Sequence, residues 1–154
     1  MIEIVEIADP ERKADICRIV LRALPDWFGI EESTLGYIEA ARELQFFAAE
    51  DRGAPVGFAA VKRHSACAAE LYVMGVLETY HRLGIGGRLT DRCAAYCRDL
   101  GLKFLTVKTL DESARSEHYD RTRAFYLAQG FLPLEVFPAL WDPGNPCLFL
   151  AKPL

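Results

Sequence analysis

The chain opens on alternating apolar and charged residues, Met1-Ile2-Glu3-Ile4-Val5-Glu6-Ile7, the period-two pattern of a half-buried strand. Asp9-Pro10 then reads as an N-cap and first helical residue, and Ala14, Ile16, Ile19, Val20 and Leu24 recur near helical spacing until Pro25. An aromatic loop, Asp26-Trp27-Phe28-Gly29-Ile30, precedes a second helix predicted from Glu31 to about Leu44, with Leu35, Ile38, Ala41 and Leu44 on one side. Strands are predicted at Leu44 to Ala49 and Pro55 to Lys62, joined as a hairpin through Asp51-Arg52-Gly53, and at about Ala68 to Val76. A helix over Gly86 to Leu100 carries Leu89, Cys93, Tyr96 or Cys97, and Leu100 inward, and Gly101 stops it. Phe104 to Thr109 reads as a strand and Glu117 to Gln129 as a helix ending at Gly130. Two strands, Phe131 to Phe137 and Cys147 to Lys152, flank a Pro-rich loop at Asp142-Pro143-Gly144-Asn145-Pro146.

The predicted order is β-α-α-β-β-β-α-β-α-β-β. Hairpins mixed with helical crossovers define an α/β protein with a mixed sheet. No repeat, low-complexity tract or linker interrupts the 154 residues, so a single domain over 1–154 is expected. Hydrophobic residues make up 51% and charged residues 26%, the mix of a globular chain with one substantial core.

Charge and cysteine content narrow the function classes. The net charge is -4 and no Lys/Arg block stands out, so no nucleic-acid partner is expected, although a local basic patch for a small anion is compatible with it. The N-terminus lacks a signal-peptide pattern, and no stretch reaches the roughly 20 apolar residues that span a bilayer. The five cysteines are odd in number and contain no CxxC. Cys93 and Cys97 are four apart, but no His or carboxylate completes a metal site beside them. The expectation is a reduced, cytoplasmic protein without metal or membrane.

The most informative stretch is Tyr80-His81-Arg82-Leu83-Gly84-Ile85-Gly86-Gly87-Arg88-Leu89. It follows a strand and opens a helix, so backbone N–H groups converge there, glycines admit close approach of phosphate oxygens, and the helix dipole adds roughly half a positive charge. Arg82 and Arg88 offer charge-assisted contacts. A dinucleotide fingerprint needs a third glycine where Leu89 stands, and the Gly-Lys-Ser/Thr of a P-loop is absent. A tight turn whose glycines serve only packing and capping is the alternative.

Strand, Gly84-x-Gly86-Gly87 and helix together resemble the acetyl-CoA signature of the GNAT superfamily of N-acetyltransferases, [QR]-x-x-G-x-[GA], and the element order is also that family's. Ala124-Phe125-Tyr126-Leu127-Ala128-Gln129-Gly130-Phe131 resembles its second motif, a helix carrying Phe-Tyr that ends in Gly-Phe. The likeness covers roughly Leu71 to Phe131. Two positions depart from the pattern: His81 replaces the opening Gln or Arg, and Tyr119 stands where many relatives have an Asn that contacts the cofactor arm.

The resemblance implies a GNAT-like, mostly antiparallel sheet flanked by helices, and acetyl-CoA as co-substrate. It implies that Arg82, Leu83, Gly84, Ile85, Gly86 and Gly87 hold the pyrophosphate through backbone N–H groups, and that the backbone of Met74 and Val76 pairs with the pantetheine arm. It places Tyr126 near the thioester sulfur as general acid. Glu70, fourteen residues before Gly84, corresponds to a catalytic Glu of some protein-acetylating relatives and is the first candidate for general base. Glu117 and His118 are weaker candidates, and His64 reads as ordinary surface in a loop. Asp26, Trp27, Phe28, Glu31 and Glu32 lie where the family commonly borders the acceptor; Trp27 and Glu31 are the expected substrate contacts for a cationic amine, through cation–π and charge pairing. The same acids read equally as helix-start residues. Trp141 covers either that cleft or the core. A non-catalytic acyl-CoA sensor is the alternative function, and a homodimer fits the family.

Overall fold

A computed structural model describes residues 1–154. Its elements are β1 (Ile2–Glu6), α1 (Pro10–Arg22), α2 (Glu31–Ala41), β2 (Gln45–Asp51), β3 (Ala54–Arg63), β4 (Ala68–Val76), α3 (Ile85–Asp99), β5 (Phe104–Leu110), α4 (Glu117–Ala128), β6 (Leu132–Asp142) and β7 (Asn145–Pro153). The strands form a seven-stranded, mostly antiparallel sheet in the order β1-β2-β3-β4-β5-β7-β6. This is the α/β class and element order expected from the sequence.

The chain folds as two compact units, Met1–Lys62 with Leu71–Tyr96, and Arg63–Glu70 with Cys97–Leu154. In the first, β1 and β2 pair antiparallel, as do β2 and β3. The apolar stripe of α1 (Ala14, Ile16, Cys17, Val20, Leu21) and Ile38 and Ala41 of α2 are buried with Phe46, Ala48, Phe58, Ala60 and Val73 of the strands. Asp9 caps α1 through its carboxylate, with Pro10 at the first position, as the sequence predicts. In the second unit, β4 pairs parallel with β5 over Ala68–Glu70 and Phe104–Thr106, β5 pairs antiparallel with β7, and β7 with β6.

Gly75 shows why α1 lies where it does. A Cβ at this position would stand 2.9 Å from Val20 Cγ1 and 3.1 Å from Leu24 Cδ1. The bare Cα lets the helix settle onto the end of β4. Gly57 of β3 is similar, since its Cβ would meet the Gly75 carbonyl at 3.0 Å.

Several sequence expectations shift. The face of α2 is rotated: Thr34, Ile38 and Ala41 are buried whereas Leu35 is exposed, and the helix ends at Ala41. Ile19 of α1 and Leu100 after α3 also face solvent. The expected Pro-rich loop is a tight turn, because Asp142 and Asn145 pair directly and the Asp142 carboxylate accepts from Gly144 N–H and the Asn145 amide. An Asx-type turn replaces a loop, so β6 and β7 extend further than apolar content suggested. The helix boundary at Gly130 stands as expected, with α4 stopping two residues earlier.

Cys93 and Cys97 are buried core residues with no metal-binding cluster around them. No disulfide links the five cysteines, and only Cys67 is exposed. Burial pushes the Cys17 thiol up to about 12 and those of Cys97 and Cys147 up to about 11. Each is therefore protonated at pH 8, where the thiolate is the reactive form. Native protein at pH 8 is expected to give one fast-reacting thiol in a dithionitrobenzoate titration, abolished in Cys67→Ser, with the other four appearing only in denaturant. Gly75→Ala is expected to destabilise the fold by about 1–3 kcal/mol through overpacking, seen as a lower midpoint of thermal unfolding.

Candidate active site

The turn after β4 takes a backbone course that sterics restrict. Glu78–Tyr80 forms a short 3-10 turn, His81 is extended, and Arg82 and Gly84 both adopt positive φ, +64° and +79°. The left-handed conformation is natural for glycine and strained for arginine. From Gly84 the chain enters α3, whose first bond runs from Arg88 N–H to the Gly84 carbonyl at 3.1 Å. The N–H groups of Ile85, Gly86 and Gly87 thus belong to the helix end that has no intrahelical acceptor. Left-handed residues followed by helix-end N–H groups form a concave donor set suited to phosphate.

Thr90 braces it. Its hydroxyl donates to the Gly86 carbonyl at 2.9 Å and lies 3.9 Å from Met74 Sδ, tying the first turn of α3 to β4. Arg88, expected as a phosphate contact, donates through one guanidinium nitrogen to the Ile2 carbonyl at 3.0 Å and anchors β1. Arg82 and Leu83 are exposed on the turn.

His81 has a specific place. Its Nε2 lies 2.6 Å from the Val76 carbonyl and must be the donor, because a carbonyl only accepts. Its ring meets Trp27 edge-on at 5.7 Å. The residue that departs from the family pattern thus joins the end of β4, the phosphate turn and the aromatic loop before α2. Beyond that loop, Glu31 is bound through both oxygens by the Arg22 guanidinium, one contact at 2.9 Å, and this pairing holds its carboxyl below the usual range. Phe28 packs edge-on against Tyr37, and Tyr37 against Tyr72.

The second unit holds the acid–base candidates. Tyr126 on α4 is buried between the rings of Phe125 and Phe131, each 5.5 Å from its own. The Phe-Tyr and Gly-Phe parts of the second motif therefore meet as one aromatic cluster. Its backbone is fixed as well, for the Tyr126 carbonyl accepts from Phe131 N–H at 3.0 Å. Glu70 is buried in β4, with His64 Nε2 at 2.7 Å and Lys108 Nζ at 3.1 Å from Oε1. His64, expected as ordinary surface, is a partner of that carboxylate. Lys108 was not expected; a lone Lys inside the apolar strand Phe104–Leu110 is the signal that could have found it.

The remaining candidates have local roles. Glu117 is exposed in the first turn of α4, His118 Nδ1 lies 3.0 Å from an Arg121 nitrogen, and the Tyr119 N–H reaches the Ser116 cap hydroxyl at 3.5 Å. Trp141 is 44% exposed on β6.

A family model described as an acetyltransferase (GNAT) domain matches residues 42–133, more than half of the chain. No curated protein matches it. Among solved structures, a candidate GNAT-family acetyltransferase from Desulfovibrio desulfuricans is 20% identical, with 99% of each chain covered and a TM-score of 0.85. A GNAT-family acetyltransferase from Staphylococcus aureus Mu50 is 18% identical over 100% of this chain and 99% of that one, with a TM-score of 0.79. The PaiA N-acetyltransferase of Thermoplasma acidophilum, solved with coenzyme A, is 15% identical over 100% and 99%, with a TM-score of 0.75. The chain belongs to the GNAT family of acetyltransferases. By class it is an acetyltransferase.

Replacing Gly84 by Ala leaves open space for the Cβ but opposes its +79° φ. Gly84→Ala is expected to weaken acetyl-CoA binding about tenfold in calorimetry, with Gly84→Asn milder because Asn tolerates the left-handed region. An unchanged affinity in both variants would remove the turn from the donor site.

Proposed function

We propose that the chain transfers the acetyl group of acetyl-CoA directly to an amine of a small molecule or peptide, as one transferase domain working in the cytoplasm. The observation that carries this reading is the Arg82–Gly87 turn, where two left-handed residues lead into helix-end N–H groups. Those groups would hold the pyrophosphate, with Arg82 adding charge. The backbone of Met74 and Val76 would receive the pantetheine arm. They lie on β4 beyond Glu70, where the register with β5 ends.

An alkyl ammonium of ordinary pKa about 10.4 is neutral in roughly one molecule in 2,500 at pH 7, so freeing it costs about 4–5 kcal/mol. Glu70 and its partners supply the proton-accepting function. Tyr126 supplies the proton or hydrogen bond to the departing thiolate, a fair leaving group already. Orientation of the amine against the thioester contributes most of the remaining acceleration. Trp27 contacts the acceptor, and Glu31, fixed in direction by Arg22, borders it. Two chains of the protein would associate as a homodimer. Five cysteines without a disulfide suit a reducing compartment.

The test is acetyl-CoA with a panel of 1,4-diaminobutane, lysine amide and lysine-containing peptides, read by intact mass of product and release of CoA thiol. Acceptor-dependent acetylation is expected, and Tyr126→Phe should lower kcat about tenfold or more with little change in acetyl-CoA affinity. Wild-type turnover in that variant would remove Tyr126 from the mechanism. Binding of acetyl-CoA without transfer to any member of the panel would overturn the enzymatic reading.

A further inference from the structure

Glu70 is poorly placed to meet an acceptor itself. It is 4% exposed, and one of its oxygens already receives two partners, Lys108 at 3.1 Å and His64 at 2.7 Å. An ammonium has only donors, so Oε1 accepts from Lys108. A carboxylate oxygen that faces an ammonium accepts from the imidazole also, so His64 donates from Nε2. In the neutral ring the lone pair then lies on Nδ1.

His64 has the complementary exposure. Its side chain is 41% exposed against 5% for that of Glu70. It stands at the end of the hairpin between β3 and β4, where its N–H donates to the Ala68 carbonyl at 3.0 Å. The Ser65 hydroxyl closes the same hairpin by accepting from Cys67 and Ala68 N–H, each at 3.1 Å. The ring is thus carried by a braced turn, aimed by a buried carboxylate and open to solvent.

We propose that His64, through Nδ1, takes the proton from the acceptor ammonium, that Glu70 is a positioning carboxylate, and that Lys108 is its counter-charge. This rests on the reading of the chain as an amine acetyltransferase and changes which group acts as base. An imidazole ordinarily titrates nearer neutral pH than a carboxylate, which suits general-base work there. A buried carboxylate against the ring fixes the tautomer and stabilises the imidazolium as it forms. Lys108 already donates to the carboxylate oxygen that the ring shares.

The step balances as follows. R–NH3⁺ gives one proton to Nδ1, forming the imidazolium. The amine lone pair attacks the thioester carbonyl carbon, the new N–C bond forms and the C–S bond breaks. The second amine proton passes to the leaving sulfur, directly or through Tyr126, giving amide and thiol. His64 then returns its proton to water. Glu70 of β4 lies against the ring, Lys108 of β5 binds the same Glu70 oxygen, Cys147 of β7 lies near Lys108 and Glu70, and Arg63 precedes His64 on β3, its Nε donating to Ser65 O at 3.3 Å.

Two measurements on the full chain test this. In 15N-edited NMR of the histidine rings, assigned with His64→Asn, His64 should be the Nε2–H tautomer in neutral protein. A dominant Nδ1–H tautomer would overturn the proposal whatever the acceptor. In acetylation of the amine panel, His64→Asn should lower kcat about 100-fold and abolish the acidic limb of kcat/KM, with KM for acetyl-CoA unchanged. Glu70→Gln should lower kcat about tenfold while leaving the acidic limb present, because the ring loses its positioning partner but keeps its Nδ1. If Glu70→Gln fails to fold, His64→Asn decides alone, since its side chain is part-exposed and its melting temperature should match the wild type. A His64→Asn enzyme within twofold of wild-type rate and with its acidic limb intact would sink the proposal while leaving the acetyltransferase reading standing. Wild-type protein that binds acetyl-CoA but acetylates no amine would sink both.

Discussion

The turn after β4 depends on how closely α1 approaches the Cα of Gly75. Val20 and Leu24 occupy the space a side chain would take there, and Gly57 leaves matching room on β3. Once that contact is made, the end of β4 is held between strand and helix, and the Leu77 N–H bond to the Val56 carbonyl at 2.9 Å continues the hold by one residue. The turn that begins at Glu78 then has a fixed origin. Thr90 fixes its other end by binding Gly86. A turn made of backbone is only as accurate as the two elements it connects, and here both ends are tied by packing or hydrogen bonds.

Charge is deployed locally. Arg12 is paired with Glu50, Arg22 with Glu31, and Arg42 with Glu11 and Glu39, mostly at exposed positions where such pairs contribute little to stability. The overall excess of acid over base therefore says little about either ligand. What matters is the arrangement around buried Glu70, where desolvation makes an unpartnered carboxylate costly and Lys108 offsets it.

The fold class and the strand–turn–helix course around the glycines were legible because their signals are local. Alternation, a capped helix and Gly84-x-Gly86-Gly87 each depend on residues close in sequence. The misreadings share the opposite property. Leu35 and Leu100 fit a helical stripe but face water, because tertiary packing chooses which side of a short helix is covered. The contact of Arg88 with the Ile2 carbonyl, 86 positions away, was likewise invisible to spacing. The partnership of Glu70 with Lys108 spans 38 positions and follows from parallel pairing of β4 with β5, which periodicity does not reveal. His81 was legible as a departure from a motif, but its contacts with Val76 and Trp27 were not.

Arg82 carries a consequence for protein engineering. An L-residue with a side chain held at φ +64° gives up about 1 kcal/mol or more that glycine would not. A stability screen over this chain would therefore favour glycine at position 82, and the sturdier variant would lack the one guanidinium on the turn that no other part of the fold has claimed in the way β1 claims Arg88. Selection for thermal robustness and selection for grip on an anion pull this position in opposite directions.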